Sequence, residues 1–105
     1  YISLIHPSAI VSSRAMIGEG TVIMQGAVLQ VEVEVGNHSI INTACSIDHE
    51  CKIANFVHIS PNSTLCGNVQ VGEGSWIGAE SVVSKDIPDY SLAVGNRCKI
   101  LKTLK

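Results

Sequence analysis

The chain has 105 residues, which suits one domain. A net charge of −2 offers no basic field for nucleic acid, and no run of about 20 apolar residues supplies a transmembrane span. Aromatic residues make up only 4% of the chain, so stacked aliphatic side chains must fill any core. No signal-peptide pattern opens the chain. It starts at Tyr1 and its repeat begins almost at once, which reads as a chain lacking an N-terminal part.

From Ile5 onward an aliphatic residue recurs at every sixth position: Ile5, Val11, Ile17, Ile23, Leu29, Val35, Ile41, Ile47, Ile53, Ile59, Leu65, Val71, Ile77 and Val83. Two residues before each lies a small one, from Ser3 and Ala9 through Cys45 and Cys51 to Ser75 and Ser81, none larger than Val. One residue after the beat, Gly, Ser, Asn and Asp dominate. Six is a multiple of two, so each beat residue can face one side of extended backbone, whereas a helix repeats at about 3.6. Each hexad therefore reads as a short strand plus a corner, and stacked corners make a solenoid with one aliphatic core. Residues 18, 36, 54 and 72 read Gly, Gly, Ala, Gly, which favours three hexads per coil. The beat predicts about 4.7 coils over residues 5–88, rising about 4.8 Å per coil, with all fourteen beat side chains buried.

Residues 1–40 read as structural. His6 opens the first coil as a surface or capping residue, and Val31 to Val35 alternates as a strand does, with Glu32 and Glu34 outward. His38 follows a Gly36-Asn37 corner as a solvated turn residue. The four cysteines form no C-x-x-C pair, and Cys45 and Cys51 sit on the small inward track. A reduced, cytoplasmic protein fits them.

Chemistry gathers at residues 42–67. His49-Glu50 falls on the solvent side of its hexad, and Gly67 lies eighteen residues on, one rung up the same edge. A base beside a bare backbone donor suits acyl transfer: the base deprotonates a nucleophile and the donor holds the oxyanion. Trp76, the single tryptophan, reads as rim packing. After Val83 the beat fails at Asp89, and Pro88 argues against a further inner strand, so residues 1–88 form the solenoid and 89–105 a closing tail.

These hexads resemble the hexapeptide repeat of left-handed parallel β-helix acyltransferases, over residues 5–88. Ser46-Ile-Asp-His49-Glu50-Cys51 with Phe56-Val-His58-Ile59-Ser60 is similar to the bacillosamine-type sugar N-acetyltransferases and the sialic acid O-acetyltransferase-like group. The resemblance implies an all-β, left-handed β-helix and an acetyl-CoA-dependent acetyltransferase acting on a sugar or nucleotide sugar. It makes His49 the general base, Glu50 its orienting partner, and Asn42 and His58 substrate-binding residues. It gives Gly67 an amide that meets the thioester carbonyl. It places the tail near the coenzyme A nucleotide, where Lys85, Arg97, Lys99 and Lys102 would meet phosphates. Arg97-Cys98 replaces the Pro-Ala common in such tails. The resemblance also implies a homotrimer, acetyl-CoA as co-substrate without a metal, and an N-terminal nucleotide-sugar domain that this chain lacks. Amine and hydroxyl acceptors both stay open, as do the sugar and the acyl length. Two alternatives compete. A γ-type carbonic anhydrase-like zinc enzyme uses the same solenoid, but its His pair about five apart is missing: His49 and His58 are nine apart. A non-catalytic trimeric solenoid would leave the His49, Glu50, Asn42, His58 and Gly67 constellation without a purpose.

Overall fold

A two-residue strand ends on every beat, from Leu4–Ile5 and Ile10–Val11 to Trp76–Ile77 and Val82–Val83. The structure, a computed structural model, describes residues 1–105. Strands three hexads apart pair in parallel, such as Ser46↔Val28 and Ser46↔Thr64. Three sheets result, of seven, five and four strands. They form the sides of a triangular solenoid of parallel coils, in agreement with the left-handed β-helix that the resemblance implies. The first sheet carries Leu4–Ile5, the second Ile10–Val11 and the third Met16–Ile17, each with its eighteen-residue successors.

The core is the beat. From Ile23 to Val83 all eleven beat side chains are buried, and Cys45 and Cys51 are buried on the small track as expected. The prediction of fourteen buried beat residues fails at one end. Ile5 is 46% exposed, and Val11 and Ile17 are half-buried. Residues 1–105 supply no coil beneath these three, whereas Ile77 and Val83 near the other end are covered.

The small track does more than avoid crowding. Thr21 Oγ1 donates to Gly36 O at 2.6 Å and accepts the Ser39 N–H at 3.2 Å. Ser39 Oγ repeats the step, donating to Ala54 O and accepting the Val57 N–H. A hydroxyl fits the tight inward place and ties one coil to the next, so no buried side-chain polar atom is left without a partner. Cys45 and Cys51 play the donating half, with Sγ 3.0 Å from Ser60 O and Cys66 O.

The corners turn on the third residue after the beat, not the first. Gly20, Gly26 and Gly74 have positive φ there, and so do Glu32, His38, Ala44, Glu50, Phe56, Asn62, Asn68, Glu80 and Tyr90. Left-handed backbone is unfavourable for non-glycine residues. Stacking holds it: Glu50 N–H donates to Val31 O of the coil beneath, Phe56 N–H to Asn37 O and Asn68 N–H to His49 O.

The coil does not leave its path at residue 88. Ile87 bridges Val71, and Ser91–Val94 pairs in parallel with the Trp76–Ile77 strand. Ile87, Ser91 and Ala93 are buried. This rung is two residues short: Ser91 meets Ser75 across 16 positions, where lower rungs repeat at 18. The beat therefore resumes at Ile87 and Ala93 in a shifted phase, and Pro88 falls in the corner rather than in a strand. Lys99–Thr103 then turns back antiparallel on Ser91–Val94 at the end of the first sheet.

The three sides and three corners differ in chemistry. Outward on the first sheet stand Leu4, Val22, Ile40, His58, Trp76 and Leu92. Outward on the second are Ile10, Val28, Ser46, Thr64 and Val82. The third shows Met16, Glu34, Lys52 and Gln70. Two sides are thus largely apolar and one is polar.

Candidate active site

His49 stands on the corner between the second and third sheets, where the Ser46–Ile47 strand turns into Lys52–Ile53. Asp48 Oδ1 accepts the His49 N–H at 2.7 Å and fixes its backbone. Glu50 follows with φ 61°, which swings its carboxylate back to the ring. His49 Nδ1 lies 3.2 Å from Glu50 Oε1. A carboxylate only accepts, so Nδ1 is the protonated nitrogen and Nε2 carries the lone pair. The pair is well exposed, at 53% and 61% of the two side chains, so it orients the ring rather than adding stability.

Gly67 sits one coil above, against the ring. A Cβ placed on Gly67 would lie 2.8 Å from His49 Nε2 and 2.9 Å from Cε1. Its φ is not in the left-handed region, so the glycine is required for space and not for backbone freedom. The amides of His49 and Thr43, at the same corner position, are capped by Asp48 and Asn42. Gly67 N–H has no partner within the chain. The His49 ring thus packs against Gly67 one coil above, where the eighteen-residue step puts it. Gly67→Ala is expected to push the His49 ring off its place and lower kcat about 100-fold, since a misplacement near 1 Å has that effect. Thermal unfolding should change little, because only the free end of a side chain has to move. An alanine variant with wild-type kcat would remove the ring–glycine contact from the mechanism.

Asn42 and His58 meet each other: Asn42 Nδ2 lies 3.2 Å from His58 Nε2. They do not meet His49 in the same chain. Asn42 belongs to the corner between the first and second sheets and His58 to the first sheet, so the whole second side separates them from His49. The His58 ring packs on Trp76 at 4.4 Å between centroids, and burial pushes its pKa down, which keeps it neutral. Trp76 Nε1 donates to Ser60 Oγ. Sequence reasoning missed this part for Trp76 and Ser60, although strand pairing of His58 with Trp76 follows from the eighteen-residue repeat.

Lys85 falls one further coil up the corner that holds His49 and Gly67, as the pairing of Leu65 with Val83 fixes the register. Arg97 follows Asn96, which bridges Val82 at the end of the second sheet. Lys99 starts the returning strand opposite Val94 at the end of the first. The three cations are therefore spread over the same end of the solenoid. His6 makes a local contact with Ser8 in the first coil and lies away from these residues.

No protein-family model matches the chain. It is 26% identical over 94 residues to GDP-perosamine N-acetyltransferase of Escherichia coli O157:H7, covering 90% of this chain and 42% of that protein. The acetyltransferase domain of PglB from Neisseria gonorrhoeae FA1090 superposes with a TM-score of 0.81 at 39% identity, covering 94% of this chain and 57% of that one. The same domain is known in complex with acetyl coenzyme A. A mutant of perosamine N-acetyltransferase from Caulobacter crescentus, in complex with CoA and GDP-perosamine, superposes at 0.83 with 34% identity, covering 96% and 57%. The chain thus spans about half the length of these proteins. It is a hexapeptide-repeat β-solenoid, and its structural neighbours include these hexapeptide-repeat sugar N-acetyltransferases.

Proposed function

We propose that this chain is the acyl-transferring part of an acetyl-CoA-dependent sugar acetyltransferase, with an amine, or else a hydroxyl, of a sugar or nucleotide sugar as acceptor. One observation carries the reading: His49 is held through Nδ1 by Glu50, and its free Nε2 occupies the space a side chain on Gly67 would take. The neighbours named for acetyl coenzyme A, CoA and GDP-perosamine support the substrate class. Transfer is direct, because no hydroxyl or thiol forms a hydrogen bond with His49 as an acyl carrier would. Lys85, Arg97 and Lys99 are assigned to the phosphates of the coenzyme.

The working unit is a homotrimer. Two apolar sides of a triangular prism call for cover, and the corner between them carries Ser8, Gly26, Ala44, Asn62 and Glu80 at its turning positions. With that corner at the axis, the first sheet of one copy faces the second sheet of the next. Such a heterologous contact closes into a ring. That arrangement sets His58 and Trp76 of one copy's first sheet against the neighbour's second sheet and leaves Asn42 near the axis, away from His49. Sedimentation of the intact protein at micromolar concentration should give a trimer, and the trimer should release CoA from acetyl-CoA when an amino-sugar acceptor is added. A monomer sinks the assembly, and a trimer without acceptor-dependent release sinks the activity.

A further inference from the structure

We propose that Asn42 and Trp76 lock His58 as the tautomer with its proton on Nδ1, and that this N–H is a hydrogen-bond donor for an uncharged oxygen of the ligand. The ligand contact rests on the acetyltransferase reading above; the tautomer does not.

The chain of donors begins at the backbone. Thr43 N–H donates to Asn42 Oδ1 at 2.7 Å, and Thr43 Oγ1 lies 3.3 Å from the same oxygen. A backbone N–H can only donate, so that end of the amide is its oxygen and the other end its NH₂ group. Asn42 Nδ2 lies 3.2 Å from His58 Nε2. An NH₂ group only donates, so Nε2 supplies the lone pair. Burial pushes the His58 pKa down and keeps the ring neutral. A neutral imidazole has one ring N–H, and here it is left on Nδ1. Trp76 holds the ring in this pose. It stands directly above His58 in the sheet and packs on it at 4.4 Å, with 46° between the planes. The indole is tied in turn, because Nε1 donates to Oγ of buried Ser60 at 3.0 Å.

The two site histidines therefore differ in what they leave free. In His49, Glu50 takes the Nδ1 proton and Nε2 can accept one. In His58, Asn42 takes the Nε2 lone pair and the Nδ1 proton is free. His58 is a donor and not a second base. Its Nδ1 has no partner in the chain, and no side-chain polar atom is buried without one, so this N–H reaches the surface. Along the same side Val22, Ile40, Trp76 and Leu92 point outward and carry no charge. A single neutral donor on an apolar strip suits a carbonyl or hydroxyl oxygen. It lacks the charge that strengthens a contact to phosphate.

Nitrogen-15 NMR of the intact protein, labelled in histidine, reads the tautomer directly. His58 should show a protonated Nδ1 and a bare Nε2. Asn42→Asp keeps the shape and still accepts the Thr43 N–H, but its carboxylate gives Nε2 no proton, so the ring proton should move to Nε2. Steady-state kinetics with acetyl-CoA and GDP-perosamine reads the donor. His58→Ala is expected to raise one KM about fivefold, the usual size of one neutral hydrogen bond. His58→Asn puts an amide NH₂ near the place of Nδ1 and should recover most of that loss. His58→Gln puts it near Nε2 and should recover none. A rise in KM for acetyl-CoA assigns the oxygen to a carbonyl of the acyl donor, and a rise for GDP-perosamine to a hydroxyl of the acceptor. A wild-type His58 with a bare Nδ1, or recovery by His58→Gln in place of His58→Asn, overturns the proposal. A His58→Ala protein that keeps both KM values, or is no longer trimeric, overturns the ligand contact. A wild type that turns over no acetyl-CoA overturns the acetyltransferase reading and the ligand contact with it, and the NMR spectrum still decides the tautomer.

Discussion

Replacing His49 by alanine in the intact enzyme is expected to lower kcat by about 10²–10⁴-fold, the usual contribution of a positioned general base. In the proposed reaction the acceptor nitrogen or oxygen attacks the thioester carbonyl and its proton passes to His49 Nε2. The tetrahedral oxyanion is met by the Gly67 N–H, and collapse expels the coenzyme sulfur, which regains a proton from the imidazolium. Nε2 is the reacting nitrogen because Nδ1 is engaged by Glu50. The carboxylate favours the imidazolium as it forms and keeps the ring against Gly67. Glu50→Ala should therefore lower kcat less than His49→Ala, since the ring would remain. KM for acetyl-CoA should hardly move in either variant, because the coenzyme is held mostly by other groups. Steady-state rates at saturating acetyl-CoA decide the point: a His49→Ala enzyme with near-wild-type kcat removes His49 from the role of base.

Much of this molecule could be read from residue types and spacing, and the limits of that reading have physical causes. The aliphatic beat reports which side chains face inward, so the stacked coils followed from it, while the corner track of Gly18, Gly36, Ala54 and Gly72 favoured three sides. It does not report what lies beyond the last coil, which is why Ile5 came out exposed. The shortened rung was in the sequence too, as Ile87 and Ala93 with the small Ser91 before the second of them. A fixed frame misses a phase shift of two residues. The turning position was hidden because stacked backbone hydrogen bonds let Glu50 and Phe56 adopt a conformation that their side chains disfavour. At the site, the eighteen-residue step put Gly67 beside His49 correctly. The same step placed His58 beneath Trp76, and only the triangle shows that this pair faces away from His49. Spacing along one edge is legible in a solenoid sequence; which edge faces a second copy is not.

Ile47→Asp is expected to abolish folding. Ile47 is fully buried, with Leu29 directly below and Leu65 directly above in the second sheet. Loss of the aliphatic side chain alone would remove about 2–5 kcal/mol. The carboxylate adds the larger penalty of an ion or an unpaired acid among aliphatic neighbours. Together these match or exceed the whole stability of an ordinary domain, about 5–15 kcal/mol. The solenoid offers no escape, because each coil is stabilised only by the coils it touches. A defect at Ile47 divides the stack near its middle and leaves two short pieces, each with an open end. Ile5→Asp makes the same chemical change on a side chain already 46% exposed, and it should leave a folded protein. Circular dichroism and thermal unfolding of the two variants separate burial from a general intolerance of charge on the beat. A cooperative transition for Ile47→Asp within a few degrees of wild type would mean that the beat is not the element that holds the coils together.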